Sequence, residues 1–235
     1  LKPTTRDLHQ WSVDGEEYYL SMQASMENNA MGRHLHIIPQ AEGLLCILCI
    51  RFPDTVLAEI EQMLRMCESR LTPHILVNQI MKQQQQQQQQ SKLDVKTPDV
   101  RNEILNKTAV YHAVGLCIEE ILEQADKRGM SFPLWFNGTL RHHIANQAPI
   151  TTPLRARTIW LIGEVARIQE DDDQHARITQ TIRKHVLGTV CESMRKTNDL
   201  VVKMTCIKTV NLLLAHQNNN KNNKKANQHS HQQHL

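Results

Sequence analysis

Successive stretches of this chain carry apolar residues at every third or fourth position, and this spacing constrains the fold more than any other feature. One such stretch contains Leu154, Thr158, Leu161, Val165 and Ile168. That spacing places the side chains on one face of an α-helix. A helix of this kind must bury its apolar face against another element. The sequence therefore predicts an all-α fold built from packed helices.

The same spacing predicts helices along most of the chain, with breaks at proline, glycine and polar residues. Pro53 separates two apolar segments and favours a helical hairpin over one long rod. Thr152 and Pro153 form a good helix start, because threonine can cap and proline needs no amide partner there. The predicted helices cover Arg6–Trp11, Leu44–Ile50, Thr55–Ser69, Pro73–Met81, Val100–Ala125, Phe132–Leu140, Leu154–Ile168, Gln174–Met194 and a last one opened by Asp199. In Val100–Ala125 the polar residues between the apolar ones are predicted to form one wet face, and Gly129 is predicted to end this helix.

The helix-start pattern at Leu154 recurs at Leu200, 46 residues later. HEAT and armadillo units repeat at about 40–47 residues, and each unit buries its apolar face against its neighbours. The fold class that we predict is therefore a HEAT/armadillo-like α-solenoid of antiparallel helix pairs.

Composition divides the chain into five regions. Residues 1–40 are polar and predicted to be weakly ordered, and 41–82 form a helical hairpin plus a short helix. Residues 83–99 are a linker that opens with the glutamine run Gln83–Gln90, which has no apolar face to bury. Residues 100–216 are the HEAT-repeat segment, and 217–235 form a disordered tail rich in Asn, Lys and His.

Charge and hydropathy argue against two classes of partner. The formal net charge is +3, but acids and bases are interleaved along the chain, so no basic field for nucleic acid is expected. The longest apolar stretch, Leu44–Ile50, is far shorter than the roughly 18 residues of a membrane-spanning helix. The chain opens without a basic-then-apolar signal, and we expect an intracellular protein with no membrane insertion.

The metal-like and catalytic-like patterns have simpler interpretations. Cys46 and Cys49 have the spacing of a zinc or redox pair, but they lie inside an apolar helix and are predicted to be core residues. His142 and His143 point in different directions on a helix, without a carboxylate or cysteine in step. The acidic run Glu170–Asp173 is interpreted as a solvated turn, with an acidic docking surface as the alternative. Three tail histidines are interpreted as part of a disordered tail, with weak metal binding as the alternative: His229, His231 and His234.

The sequence lacks a glycine-rich phosphate loop, a G-x-S-x-G elbow and an H-E-x-x-H helix. We therefore predict that the protein is not an enzyme. No residue is assigned a catalytic, cofactor-binding or metal-ligating role, no cofactor is expected, and the partner-binding residues are left unassigned.

Several of the helical segments resemble consecutive HEAT repeats of karyopherins, the importin-β superfamily of nuclear transport receptors. The segment "PLRARTIWLIGEVARI" is similar to a mid-chain signature of that family through Arg155, Arg157, Ile159, Trp160, Leu161, Ile162 and Gly163. The likeness is strong from Lys107 onward and thinner before Leu71. The other segments that carry it are His36–Leu64, Lys107–Glu123, Pro133–Leu140 and Asn198–Val210.

This resemblance implies a receptor that binds protein cargo, the Ran GTPase in its GTP form and nuclear pore proteins. It also implies shuttling between nucleus and cytoplasm, and so nuclear import of protein. The matching motifs are packing motifs, so no Ran or cargo contact is transferred to a residue of this chain. Two alternatives stay open: a general helical-repeat scaffold that assembles other proteins, and a truncated paralogue with little retained function.

Overall fold

The computed structural model describes residues 2–27, 37–72, 78, 100–168 and 173–214. These residues form helices, without a β-strand among them, which confirms the all-α prediction. Outside the described residues lie nearly all of the predicted helix Pro73–Met81, the glutamine run, most of the acidic turn and the tail. Within the described part, no helix combines the length and the hydropathy needed to cross a membrane.

The described helices follow one another closely along the chain, as expected for a repeat array. Their bounds are α1 Thr5–Val13, α2 Gly15–Glu27, α3 Ile37–Arg51, α4 Pro53–Arg70, α5 Val100–Leu116, α6 Ile118–Glu123, α7 Ala125–Arg128, α8 Phe132–Trp135, α9 Arg141–Ala145, α10 Thr152–Ile168, α11 Asp173–Lys196 and α12, residues 200–214. A π-helical turn, Phe136–Leu140, joins α8 to α9, and the 3₁₀ turn Pro149–Thr151 precedes α10.

Two layers of helices stack along one direction. In the first layer α3 packs on α5, α5 on α10, and α10 on α12. The second layer holds α4, the α8–α9 segment and α11, with α9 in contact with α11. A continuous cluster of buried apolar side chains runs from Cys49 in α3 to Leu213 in α12. This is a helical-repeat fold, because each element buries its apolar face against the next one in the stack.

Helix α5 is the centre of the stack and differs from its prediction in two ways. The predicted helix over 100–125 is interrupted at Cys117 and Gln124, so α5 is followed by two short helices. The polar residues between its apolar positions were predicted to form a wet face, but Lys107 is fully buried and His112 is 4% exposed. That prediction is wrong because α5 contacts α3, α4 and α10 and has neighbours on several sides.

The N-terminal region contains more helix than the sequence indicates. The predicted helix Arg6–Trp11 lies within α1, which begins with a capping box between Thr4 and Asp7. Gly15–Glu27 was predicted to be part of a weakly ordered stretch, but it forms α2. Three apolar residues of α2, Tyr18, Tyr19 and Leu20, are adjacent and so spread around the helix, which hides the amphipathic pattern in the sequence.

Two glycines let the helices of the first layer approach closely. A Cβ added to Gly115 in α5 would lie 2.3 Å from Cζ3 of Trp160 in α10. A Cβ added to Gly163 in α10 would lie 3.0 Å from Oγ1 of Thr209 in α12. The Thr209 hydroxyl donates to the Ile159 carbonyl at 3.0 Å. Close backbone approach at these positions therefore sets the spacing of the layer.

Short capping contacts fix the ends of the smaller elements. Gly129 follows α7 with φ of 63°, a left-handed conformation that suits glycine and confirms the predicted helix end. Asp199 precedes α12, and its Oδ1 accepts the Val202 amide at 2.9 Å, which confirms the predicted start. These two helix ends are thus set by local contacts.

Candidate protein-binding surfaces

An apolar groove opens between α4, α6 and α8. Its volume is about 310 Å³. Its walls are mainly aliphatic and aromatic, and two charged side chains, Arg65 and Glu68, lie on the α4 side. The remaining lining residues include Leu64, Ile118, Ile121, Leu122, Met130, Phe132 and Trp135. Few polar groups line this groove, so its surface is suited to contact with apolar side chains.

Glu68 is the centre of a polar network behind this groove. Its Oε2 accepts from Nζ of Lys107 at 2.9 Å, and its Oε1 accepts from the Tyr111 hydroxyl at 2.7 Å. The indole Nε1 of Trp135 also donates to Oε1, at 3.2 Å. Lys107 makes a second bond to the Leu71 carbonyl at 3.0 Å. One carboxylate thus joins α4, α5 and α8.

Burial explains why this network is needed. Desolvation lowers the pKa of Lys107, and the neighbouring Glu68 acts in the opposite direction by favouring the ammonium form. Burial raises the pKa of Tyr111 well above its ordinary value, and Glu68 adds to the effect. The ammonium group is therefore stable in the core because the carboxylate lies beside it. The polar atoms of the network are occupied by structural bonds.

His143 in α9 is buried beside the same network. It is 1% exposed, its ring centroid lies 6.0 Å from that of Tyr111, and neither ring nitrogen has a hydrogen-bond partner among the described residues. Burial, with smaller contributions from Lys107 and His142, lowers the pKa of His143 to about 2. The folded protein therefore holds this imidazole neutral.

This neutral imidazole predicts a loss of stability in acid. The imidazole of the unfolded chain takes up a proton below its ordinary pKa of 6.5, whereas the folded chain does so near 2. The stability contributed by His143 is therefore complete above pH 6.5 and falls as the pH drops from 6.5 towards 2. Between pH 7.5 and 5.5 we expect His143 to account for a loss of about 1.4 kcal/mol in the free energy of unfolding.

Denaturant unfolding of the full chain at the two pH values checks this prediction. His143→Leu should show a smaller difference between pH 7.5 and 5.5 than the unsubstituted protein. His142 is exposed on the same helix, so His142→Gln serves as the matched control and should keep the original difference. An unchanged pH difference in His143→Leu would contradict the assignment.

A second network ties the start of α10 to the start of α12. Arg155 is 3% exposed and donates through Nη1 to the Asn146 carbonyl at 2.9 Å and to Gln147 Oε1 at 2.8 Å. Its Nη2 donates to Thr197 Oγ1 at 3.3 Å, and the same oxygen accepts the Asp199 amide at 3.2 Å. Arg155 therefore joins the connection before α10 to the connection before α12.

Helix α3 exposes an apolar stripe on the side away from α5. Leu44 is 57% exposed, Ile47 58% and Leu48 36%, at a spacing of three and four residues. The opposite side of α3 carries buried Cys49, which packs into the core. An apolar stripe at this spacing is the kind of face that a helix of another element covers.

The cysteine pair of α3 lies in and next to the core, as predicted. Cys49 is fully buried and close to Cys117, and Cys46 is half-buried with its thiol 3.7 Å from the Leu116 carbonyl. Burial raises the pKa of all three thiols, so they are poor nucleophiles at neutral pH. Within the described ranges, no group of three His, Cys, Asp or Glu side chains is arranged to hold a metal ion.

The side chains of the two adjacent histidines lie on different faces of α9, with His142 exposed and His143 buried, as predicted.

The sequence prediction missed the Glu68 network entirely. A signal for it exists, because Lys107 stands three residues after Ile104 and four before Tyr111, within the apolar stripe of α5. A charged residue at such a position indicates a buried ion pair, although the spacing does not name the partner.

Comparison with known proteins finds partial likenesses. The chain is 31% identical over 111 residues to importin-11 of Mus musculus and, equally, to importin-11 of Homo sapiens. The matched part is 47% of this chain, and it spans 10% of the length of each relative. No protein-family model and no solved structure matches the chain.

Proposed function

We propose that this chain is a HEAT-repeat segment of a nuclear transport receptor that binds protein cargo and takes part in protein import into the nucleus. The observation that carries the proposal is the 31% identity to importin-11 over 111 residues. The stack of α3, α5, α10 and α12 supports it, because helical repeats of this kind present extended surfaces to other proteins.

Binding rather than catalysis fits the chemistry of the described residues. The polar groups around Glu68 are engaged with each other, and they hold helices together behind the groove. The groove itself offers mainly aliphatic and aromatic surface. A site of this composition favours apolar side chains of a protein partner.

In this proposal the partners are protein cargo, Ran-GTP and nuclear pore proteins, and the receptor shuttles between cytoplasm and nucleus across the nuclear envelope. Nearest-neighbour stacking makes an array bendable. Cargo and Ran-GTP, each preferring one curvature, would then change each other's affinity by the same factor. The parent receptor, rather than these repeats alone, would hold the complete Ran site.

Nuclear entry in permeabilised cells tests the transport function. The chain is fused to a fluorescent reporter too large to enter nuclei by diffusion, and the nuclear-to-cytoplasmic ratio is measured with and without Ran and an energy source. We expect retention at the nuclear rim and accumulation above the reporter alone, because receptors of this class contact pore proteins.

A designed helical-repeat protein of equal length, fused to the same reporter, is the control. Exclusion of both fusions from the rim and the nucleus would contradict the transport function and favour the general scaffold. Direct binding to Ran is measured separately with Ran-GTP and Ran-GDP, and in the intact receptor we expect a preference for the GTP form.

A further inference from the structure

Helices α1 and α2 lie across the first layer instead of stacking within it. Lys2, before α1, donates to the Asn102 side chain of α5. Trp11 Nε1 donates to Asp199 Oδ2 at 2.9 Å, at the start of α12. A Cβ added to Gly15 would lie 3.4 Å from the Val201 side chain, so α2 begins directly against α12. The pair therefore bridges α5 and α12, which are separated in the layer by α10.

One carboxylate connects this bridge to the structure of α12. Asp199 Oδ1 accepts the Val202 amide at 2.9 Å and caps the helix, while Oδ2 accepts the indole of Trp11. Both oxygens of the side chain are thus used, one within α12 and one towards α1. Undocking of α1 therefore removes a hydrogen bond from the residue that caps α12, and we expect it to affect the first turn of that helix.

Helix α2 also lies within electrostatic range of α10. Tyr18 stacks on Trp11 with ring centroids 5.3 Å apart and lies close to Arg157. The Arg157 guanidinium packs over the Trp160 ring, 4.7 Å from its centroid. Tyr19 is 7% exposed. The α1–α2 pair therefore contacts α5 and α12 and faces α10.

The first helix of the bridge is shallowly buried. Helix α1 has no fully buried residue. A cavity of about 460 Å³ lies beneath it, lined by Leu8 and Trp11 on one side and by residues of α5 and the start of α10 on the other. Segments with little buried apolar surface open at a lower free energy than the core they rest on.

We propose that α1–α2 is a detachable strap: when docked, it fixes the angle between α5, α10 and α12, and it undocks without unfolding the array. A solenoid held by nearest-neighbour contacts bends at each interface. A strap that joins α5 to α12, two places apart in the layer, prevents bending at the interfaces between them. Undocking of the strap allows that bending again. The strap thereby sets how far this part of the array can bend.

Hydrogen exchange of the full chain tests the strap, using Trp11→Ala with Val13→Ala as the matched control. Val13 is 72% exposed on the same helix. In Trp11→Ala we expect amide exchange in α1, α2 and residues 200–204 to rise about tenfold or more, as for the loss of a hydrogen bond to a charged group. Exchange in α4 and α5 should not change. Small-angle X-ray scattering of Trp11→Ala should show a broader distribution of interatomic distances than that of the unsubstituted protein.

Trp11→Phe keeps an aromatic ring on Tyr18 and removes the N–H donor, so it separates hydrogen bonding from packing. Asp199→Asn still caps α12, and the Trp11→Phe, Asp199→Asn double variant should change exchange in α1–α2 no more than either single variant. Three results would each overturn the proposal. They are unchanged exchange of 200–204 in Trp11→Ala and Trp11→Phe, an equal rise along the whole chain, and free-chain exchange of α1–α2 in the unsubstituted protein.

Discussion

Glu68→Ala is expected to lower the free energy of unfolding by about 3–5 kcal/mol, the usual cost of removing one partner of a buried ion pair. Lys107 is fully buried, and its ammonium group lies 2.9 Å from Glu68. Without the carboxylate that charge stays in the core with the Leu71 carbonyl as its remaining described partner, and the Tyr111 hydroxyl loses its acceptor. Denaturant unfolding at neutral pH measures the loss.

Two variants show whether the buried charge is the cause. The double variant Glu68→Ala, Lys107→Met removes the ammonium group as well, so it should be more stable than Glu68→Ala alone. Glu192 pairs with Lys196 on the surface of α11, and Glu192→Ala should leave stability unchanged within error. If the double variant were no more stable than the single one, the loss would not come from an unpaired charge.

The sequence predicts those helices and helix ends that depend on local chemistry. The spacing of Leu154, Thr158, Leu161 and Val165 gives the buried face of α10, and all four are buried. Asp199 caps α12 as its residue type indicates. These features need no knowledge of distant parts of the chain. Caps and amphipathic faces are therefore predictable from one sequence.

Tertiary burial is where the sequence prediction is wrong. Lys107 and His112 were expected at the surface of α5, because charged and polar residues between apolar ones usually mark a wet face. Both are buried, since helices pack on several sides of α5. Conversely, Leu44 and Ile47 belong to the most apolar stretch of the sequence, and both are more than half exposed. The spacing of apolar residues shows which side chains share a helical face. It does not show how many other helices pack around that helix.

The candidate surfaces were not predictable for the same reason. The groove joins α4, which ends at Arg70, to α6 and α8, which begin at Ile118 and Phe132. Glu68 and Trp135 stand 67 residues apart and meet because α8 packs near α4. The strap contact between Trp11 and Asp199 spans 188 residues. One sequence taken by itself holds no signal for such long-range residue pairs.

Gly115→Val is expected to lower the free energy of unfolding by about 3 kcal/mol, the upper part of the usual range for overpacking a core. A Cβ at this position would lie 2.3 Å from Cζ3 and 2.5 Å from Cη2 of Trp160. The indole cannot move aside freely, because His112 packs edge-on at 5.1 Å and Arg157 covers its face at 4.7 Å. Helices α5 and α10 must therefore separate.

Gly43 in α3 is the matched control, since a Cβ there meets nothing within 4 Å. Gly43→Ala should stabilise the chain by about 0.5–1 kcal/mol through helix propensity alone. In a Trp160→Leu background the cost of Gly115→Ala should shrink, with a coupling energy of about 1–3 kcal/mol in denaturant unfolding. Equal costs in both backgrounds would mean that the indole does not limit the approach of α5 to α10. The spacing of the first layer, and with it the stacking on which the proposed function rests, would then need another cause.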